Sequence, residues 1–153
     1  MSDLQELYQS VILDHNRKPR NFGPLEGATG TAEGKNPLCG DQVEVAVRLD
    51  GDILADVRFT GHGCAISKAS ASLMTAAVRG KSRAEADALF EKFHALVTGR
   101  TAEADITREA LGQLVVFSSV SRFPIRVKCA SLAWHTLRAA LENDVQGVPI
   151  TTE

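Results

Sequence analysis

Apolar residues recur along the chain with two different periods. Leu4, Leu7, Tyr8, Val11 and Ile12 fall at i, i+3, i+4, i+7 and i+8, which lays them on one face of a helix over residues 3–15. Ser2 or Asp3 suits the position of its N-cap. From residue 42 the period becomes two. Val43, Val45 and Val47 alternate with Glu44, Ala46 and Arg48, and Ile53, Ala55, Val57 and Phe59 resume after the turn signal Asp50-Gly51-Asp52. This predicts a hairpin over about residues 42–60, with the small, polar stretch Thr29–Gly34 as a weak edge strand. Helical spacing then returns. Ala65–Val78 reads as an alanine-rich helix stopped by Gly80. Ser82–Val97 reads as a second helix, opened by Ser82 and Glu85 as a capping box, with Ala86, Leu89, Phe90, Phe93 and Val97 inward. A short helix is expected from Thr107, with Leu111, Leu114 and Val115 inward, and a last one over Ala130–Asn143. Residues 16–27, rich in Pro and Gly, and 98–106 read as loops, Ser118–Pro124 as a connection, and the residues from Gly147 as a frayed end.

The order helix, three strands, several helices predicts an α+β fold: a three-stranded antiparallel sheet with helices mainly on one face. The 153 residues fit a single domain, 1–153, long enough to form a core without disulfides. The net charge of −2 argues against bulk nucleic-acid binding and against attraction to an anionic membrane. No apolar run approaches the roughly 18 residues of a membrane span, and the acidic start Met1–Glu6 has no apolar signal core. A cytoplasmic protein is therefore expected. In a reducing compartment, three widely spaced cysteines favour metal binding or thiol chemistry over disulfides.

Those cysteines carry the candidate chemistry. Cys39 lies in Asn36-Pro37-Leu38-Cys39-Gly40-Asp41, Cys64 in Gly61-His62-Gly63-Cys64-Ala65, and Cys129 in Arg126-Val127-Lys128-Cys129-Ala130. Cys39 precedes the first hairpin strand and Cys64 follows the second, so antiparallel pairing brings both to one edge of the sheet. Cys64 and Cys129 stand at expected helix N-termini, where amide N–H groups lower a thiol pKa. Three thiolates and the carboxylate of Asp41 suit tetrahedral zinc. By spacing alone the signature is weak, because no Cys-x-x-Cys pair is present and free cysteine is often simply buried. His62 is weighed as a further ligand. His15 reads as a helix-end residue, His94 as a surface residue, and Trp134 as a packing or partner-contact residue. No phosphate-binding glycine loop, serine elbow or aromatic–basic stripe competes.

At these motifs the sequence resembles the IscU/SufU family of iron–sulfur cluster assembly. The resemblance rests on Asn36–Asp41, on Gly61-His62-Gly63-Cys64-Ala65-Ile66-Ser67, on the segment around Cys129, and on Pro19-Arg20-Asn21-Phe22-Gly23. Two features point to the SufU branch. Lys128 stands where IscU-type proteins carry a histidine before the third cysteine. The extra helical material around residues 95–118 resembles the SufU-type insertion between the second and third cysteines. The resemblance implies a zinc-dependent sulfurtransferase with Cys39, Asp41, Cys64 and Cys129 as zinc ligands. It implies a SufS-type, pyridoxal-phosphate-dependent cysteine desulfurase as sulfur donor, a histidine of which displaces Cys39 from zinc so that Cys39 accepts the sulfur. Downstream iron–sulfur assembly scaffolds are the implied recipients. Arg126 matches a family arginine and is expected either to steer the anionic persulfide or to be an ordinary surface charge. The alternative is a scaffold on which an iron–sulfur cluster is built with the same four groups.

Overall fold

The computed structural model describes residues 2–37, 40–99, 112–142 and 149–151. The hairpin forms as β2 (Asp41–Asp50) and β3 (Ile53–His62), and β1 (Gly30–Asn36) pairs antiparallel with β2. Alternation decides which face is buried. Ala32, Val43, Val45, Val47, Val57 and Phe59 lie on one side, in register through Ala32↔Val45↔Phe59 and Val47↔Val57, while Glu44 and Arg48 face outward.

α1 (Ser2–Arg17) packs on α2 (Ala65–Val78). Its His15 is buried, and Nδ1 lies 2.7 Å from the Ser72 hydroxyl, which also accepts the Arg20 backbone N–H. His15 thus stands in the last turn of α1, as expected, and also joins that helix to α2. α3 (Arg83–Val97) opens with the expected box: Ser82 Oγ accepts from the Glu85 N–H and the Glu85 carboxylate accepts from the Ser82 N–H. A 3₁₀ helix, Gly112–Arg122, buries Leu114, Val115, Val116 and Phe117. The expected helix start at Thr107 and Leu111 lie outside the described residues.

Several elements differ from the sequence expectation. A register shift at Arg48/Leu49 turns the start of β3, so that Leu54 is buried and Ile53 exposed, and the 3₁₀ helix runs on to Arg122 through part of the expected connection. The last helix, α4, spans Pro124–Glu142 rather than beginning at Ala130. Pro124 closes the expected connection, yet at the first helical position its fixed φ is already helical and its missing N–H costs nothing. Cys129 consequently sits in the second turn of α4, not at its N-terminus. The segment expected to be frayed contains β4 (Pro149–Thr151), which pairs parallel with the free edge of β1. Three residues are too few to show a period of two, and the edge that receives them exists only once the sheet has formed.

α4 lies across β1 and β2 on the buried face. It comes close because Gly30 and Gly34 of β1 have no side chains. A Cβ at Gly34 would overlap Thr136 Oγ1, and one at Gly30 would overlap the Ala140 carbonyl. On its other side α4 meets α3 through Trp134, which stacks on Phe93 with centroids 4.7 Å apart. Trp134 is buried and therefore packs the core. Phe90 meets His94 and His135 as well as Trp134, so His94 belongs to an aromatic cluster between α3 and α4. Among the described residues no helix is long and apolar enough to cross a membrane.

Candidate metal centre

Three elements end at one corner of the sheet. Asp41 opens β2, directly across from the buried Asn36 of β1. The register Gln42↔His62 returns the end of β3 beside Asp41, so Cys64 follows within two residues. α4, held on the sheet by the glycines of β1, supplies Cys129. α2 ties down the same turn of α4, because its Ser70 hydroxyl donates to the Ala130 carbonyl. That contact needs α2 close to α4, which is why α2 is built from small residues such as Ala69, Ser70 and Ala71.

The result is a group of one carboxylate oxygen and two sulfurs, from Asp41, Cys64 and Cys129, within 4.8 Å of one another. Asp41 is 1% exposed and Cys129 3%, whereas Cys64 is half-buried. Asp41 is fixed by the amide of Cys64, which donates to Oδ1 at 2.8 Å, while Cys64 Sγ lies 3.6 Å from Oδ2. Cys64 is the N-cap of α2, and its sulfur accepts the Ser67 N–H at 3.4 Å. The Cys64 thiol pKa is held down, from 9.0 to about 7. The hydrogen bond with Cys129 contributes most, with help from the Ser67 and Ile66 N–H groups, while burial and the Asp41 carboxylate oppose it.

This donor set fits zinc. In a tetrahedral centre with bonds of about 2.0–2.3 Å, neighbouring ligand atoms lie about 3.3–3.8 Å apart, and the Cys64 Sγ to Asp41 Oδ2 separation of 3.6 Å falls within that range. A thiol with a pKa near 7 also gives up its proton to a metal readily at neutral pH.

The other residues singled out by sequence lie differently. Cys39 is outside the described residues, and beside it Gly40 has φ +72° with its N–H on the Asn36 carbonyl at 2.9 Å. His62 is exposed at the end of β3 and is not part of the three-residue group. Arg126 is exposed on α4, one turn before Cys129, with its guanidinium 6.0 Å from the Phe123 ring. Phe123 and Ile125 beside it are exposed, and Lys128 is half-buried. The expected lowering of the Cys64 pKa by amides at a helix start is met by the Ser67 N–H, whereas the part played by Ser70 was missed. Its only trace is the run of small residues after Cys64.

Comparison with known proteins bears on this site. Residues 7–130 match the family model described as the NifU-like N terminal domain. The chain is 38% identical over 153 residues to a Streptococcus pyogenes protein named iron–sulfur cluster assembly scaffold protein IscU, covering all of this chain and 94% of that protein. It is likewise 38% identical over 146 residues to the Bacillus subtilis protein named zinc-dependent sulfurtransferase SufU, covering 95% of this chain and 97% of the other. A crystal structure from Fervidobacterium islandicum AW-1, described as a candidate iron–sulfur cluster assembly scaffold protein for the SUF system, superposes with a TM-score of 0.79. It is 37% identical and covers 86% of this chain and 93% of that one.

Proposed function

The chain belongs to the NifU-like N-terminal domain family, among relatives named IscU and SufU, and on that premise we propose that it is a zinc-dependent sulfur carrier of iron–sulfur cluster assembly. Asp41, Cys64 and Cys129 hold the metal with Cys39, and Cys39 is the sulfur acceptor. The donor is the persulfide of a SufS-type, pyridoxal-phosphate-dependent cysteine desulfurase in the cytoplasm, and downstream assembly scaffolds receive the sulfur. One observation carries the reading: a buried carboxylate and two sulfurs from three separate elements converge within 4.8 Å. When bound, zinc supplies a redox-inert centre that keeps thiols ionised at neutral pH.

The residues of the chain do the rest. Asp41 is a hard ligand, held from behind by the Cys64 amide. Cys64 and Cys129 are anchored in α2 and α4. Cys39 lies two residues before Asp41 in the sequence. Its thiolate attacks the terminal sulfur of the donor persulfide. A new S–S bond forms on Cys39, the donor's S–S bond breaks, and the donor thiolate leaves with the electron pair, so no external oxidant or reductant is consumed. Arg126, exposed one turn before Cys129, offers a positive charge to the anionic persulfide.

Lys128, in place of the histidine of IscU-type proteins, favours the carrier. The equal identity to a relative named as a scaffold favours a second reading, in which an iron–sulfur cluster is assembled on the same thiolates. Desulfurase turnover separates the two. Catalytic amounts of zinc-loaded protein should accelerate alanine release, and Cys39→Ala should abolish the effect. If Cys39→Ala stimulates as well as wild type, the carrier reading fails. A cluster reconstituted without oxygen that passes intact to an apo-ferredoxin would establish the scaffold.

A further inference from the structure

Gly63 stands between the exposed end of β3 and the N-cap Cys64. Its φ lies outside the left-handed region, so the backbone there accepts any residue. The glycine is also exposed, and general crowding does not explain it. The space a side chain would need is taken by one neighbour. A Cβ built on Gly63 would overlap Asp41 Oδ1 and lie 2.9 Å from its Cγ and 3.1 Å from its Cβ. Asp41 cannot step aside cheaply, because Oδ1 accepts the Cys64 N–H at 2.8 Å and the carboxylate is 1% exposed. Gly61 contrasts with it: there φ is +145° and an added Cβ would overlap the Gln42 carbonyl of β2, so its requirement belongs to the hairpin.

We propose that Gly63 is a positioning residue for the metal centre: its missing side chain makes the slot that presents the Asp41 carboxylate alongside the sulfurs of Cys64 and Cys129. The inference rests on the reading of Asp41 as a ligand. A methyl group at position 63 turns the carboxylate off the Cys64 amide and swings Oδ2 away from the 3.6 Å separation it keeps from Cys64 Sγ. Groups that orient a metal ligand are worth about 10- to 100-fold in metal affinity.

The test is a double-mutant cycle on the full chain, with Zn²⁺ affinity read by competition against a chromophoric chelator and Co²⁺ absorption as the spectroscopic readout. Gly63→Ala should weaken Zn²⁺ binding about 10- to 100-fold and move the Co²⁺ ligand-field bands toward those of Asp41→Ala. In the Asp41→Ala background, where the carboxylate is gone, adding Gly63→Ala should change neither readout. A Gly63→Ala protein with wild-type affinity and a wild-type cobalt spectrum overturns the proposal, as does an equal loss in both backgrounds. If Asp41→Ala itself binds Zn²⁺ like wild type, the ligand reading falls and the proposal with it. That outcome is distinct from a weakened Asp41→Ala beside an unaffected Gly63→Ala, which overturns the proposal alone. Should Gly63→Ala fail to fold, the same overlap requires the double variant to recover folding, and a double variant that stays unfolded overturns the proposal.

Discussion

The Cys64 thiol offers a direct test of the electrostatics at the centre, in the metal-free protein. Its pKa is held at about 7, and the hydrogen bond with Cys129 is the largest cause. Cys129→Ala removes that partner and leaves burial and the Asp41 carboxylate, both of which favour the neutral thiol. The midpoint should move from about 7 toward 9.0. At pH 7 the thiolate fraction would drop from about one half to between about one tenth and one hundredth, a loss of roughly five- to fifty-fold. The half-exposed sulfur feels solvent screening, which places the result nearer the smaller figure. Asp41→Asn acts with the opposite sign. It keeps an oxygen for the Cys64 amide but removes a negative charge, so the midpoint should fall below 7. The assay is iodoacetamide alkylation across pH 5.5–9.5, resolved by peptide mass spectrometry so that Cys39 and Cys129 are scored separately. The midpoint is the quantity compared, because intrinsic nucleophilicity falls with pKa and distorts raw rates. A Cys129→Ala midpoint still near 7, or a shift of both variants in the same direction, would refute the assignment of causes.

Two further outcomes follow from the packing. Gly34→Val drives a branched side chain into Thr136 and Leu132, so the α4–β1 contact should lose about 1–3 kcal/mol and the thermal midpoint should fall by about 2–12 °C. Thr31→Val on the open face is the control, and equal melting of the two variants would contradict the close approach. Burial, then the charges of His94 and Arg138, hold the His135 imidazole below its ordinary pKa of 6.5. Its contribution to stability is therefore complete above pH 6.5 and lost as pH falls through the lowered value. The drop in thermal midpoint between pH 7 and pH 5 should be smaller in His135→Phe than in wild type, and an equal drop would remove His135 from the acid response.

Much of this architecture was legible in the chain. Val43–Val47 and Val57–Phe59 specify a one-faced sheet because a shift of one residue would expose every apolar side chain. Ser82 and Glu85 specify their helix start because the capping contacts are local. The hairpin, read from alternation and one turn, already implied that the ends carrying Cys39 and Cys64 share one edge of the sheet, and the structure sets Asp41 beside Cys64 at that edge. What stayed hidden was set by neighbours remote in sequence. Pro124 reads as the end of a connection until it is seen at the first turn of α4, and that turn moves Cys129 from a helix end into its second turn. β4 has no pattern of its own and depends on an edge made by β1. His15 reads only as a helix-end residue and His94 as a surface residue because the sequence does not show that Ser72 and Phe90 face them. Gly30 and Gly34 looked like marks of a weak strand, yet they let α4 lie on the sheet and deliver Cys129. The sequence by itself determined the hairpin, most of the helices, the buried face of β2 and the three thiols, because local periodicity and side-chain chemistry suffice for those. Only the tertiary structure decided that one carboxylate and two sulfurs meet within 4.8 Å, and that a glycine leaves the carboxylate room to do so. Packing between elements is a property of pairs of surfaces, and no single stretch of chain encodes it.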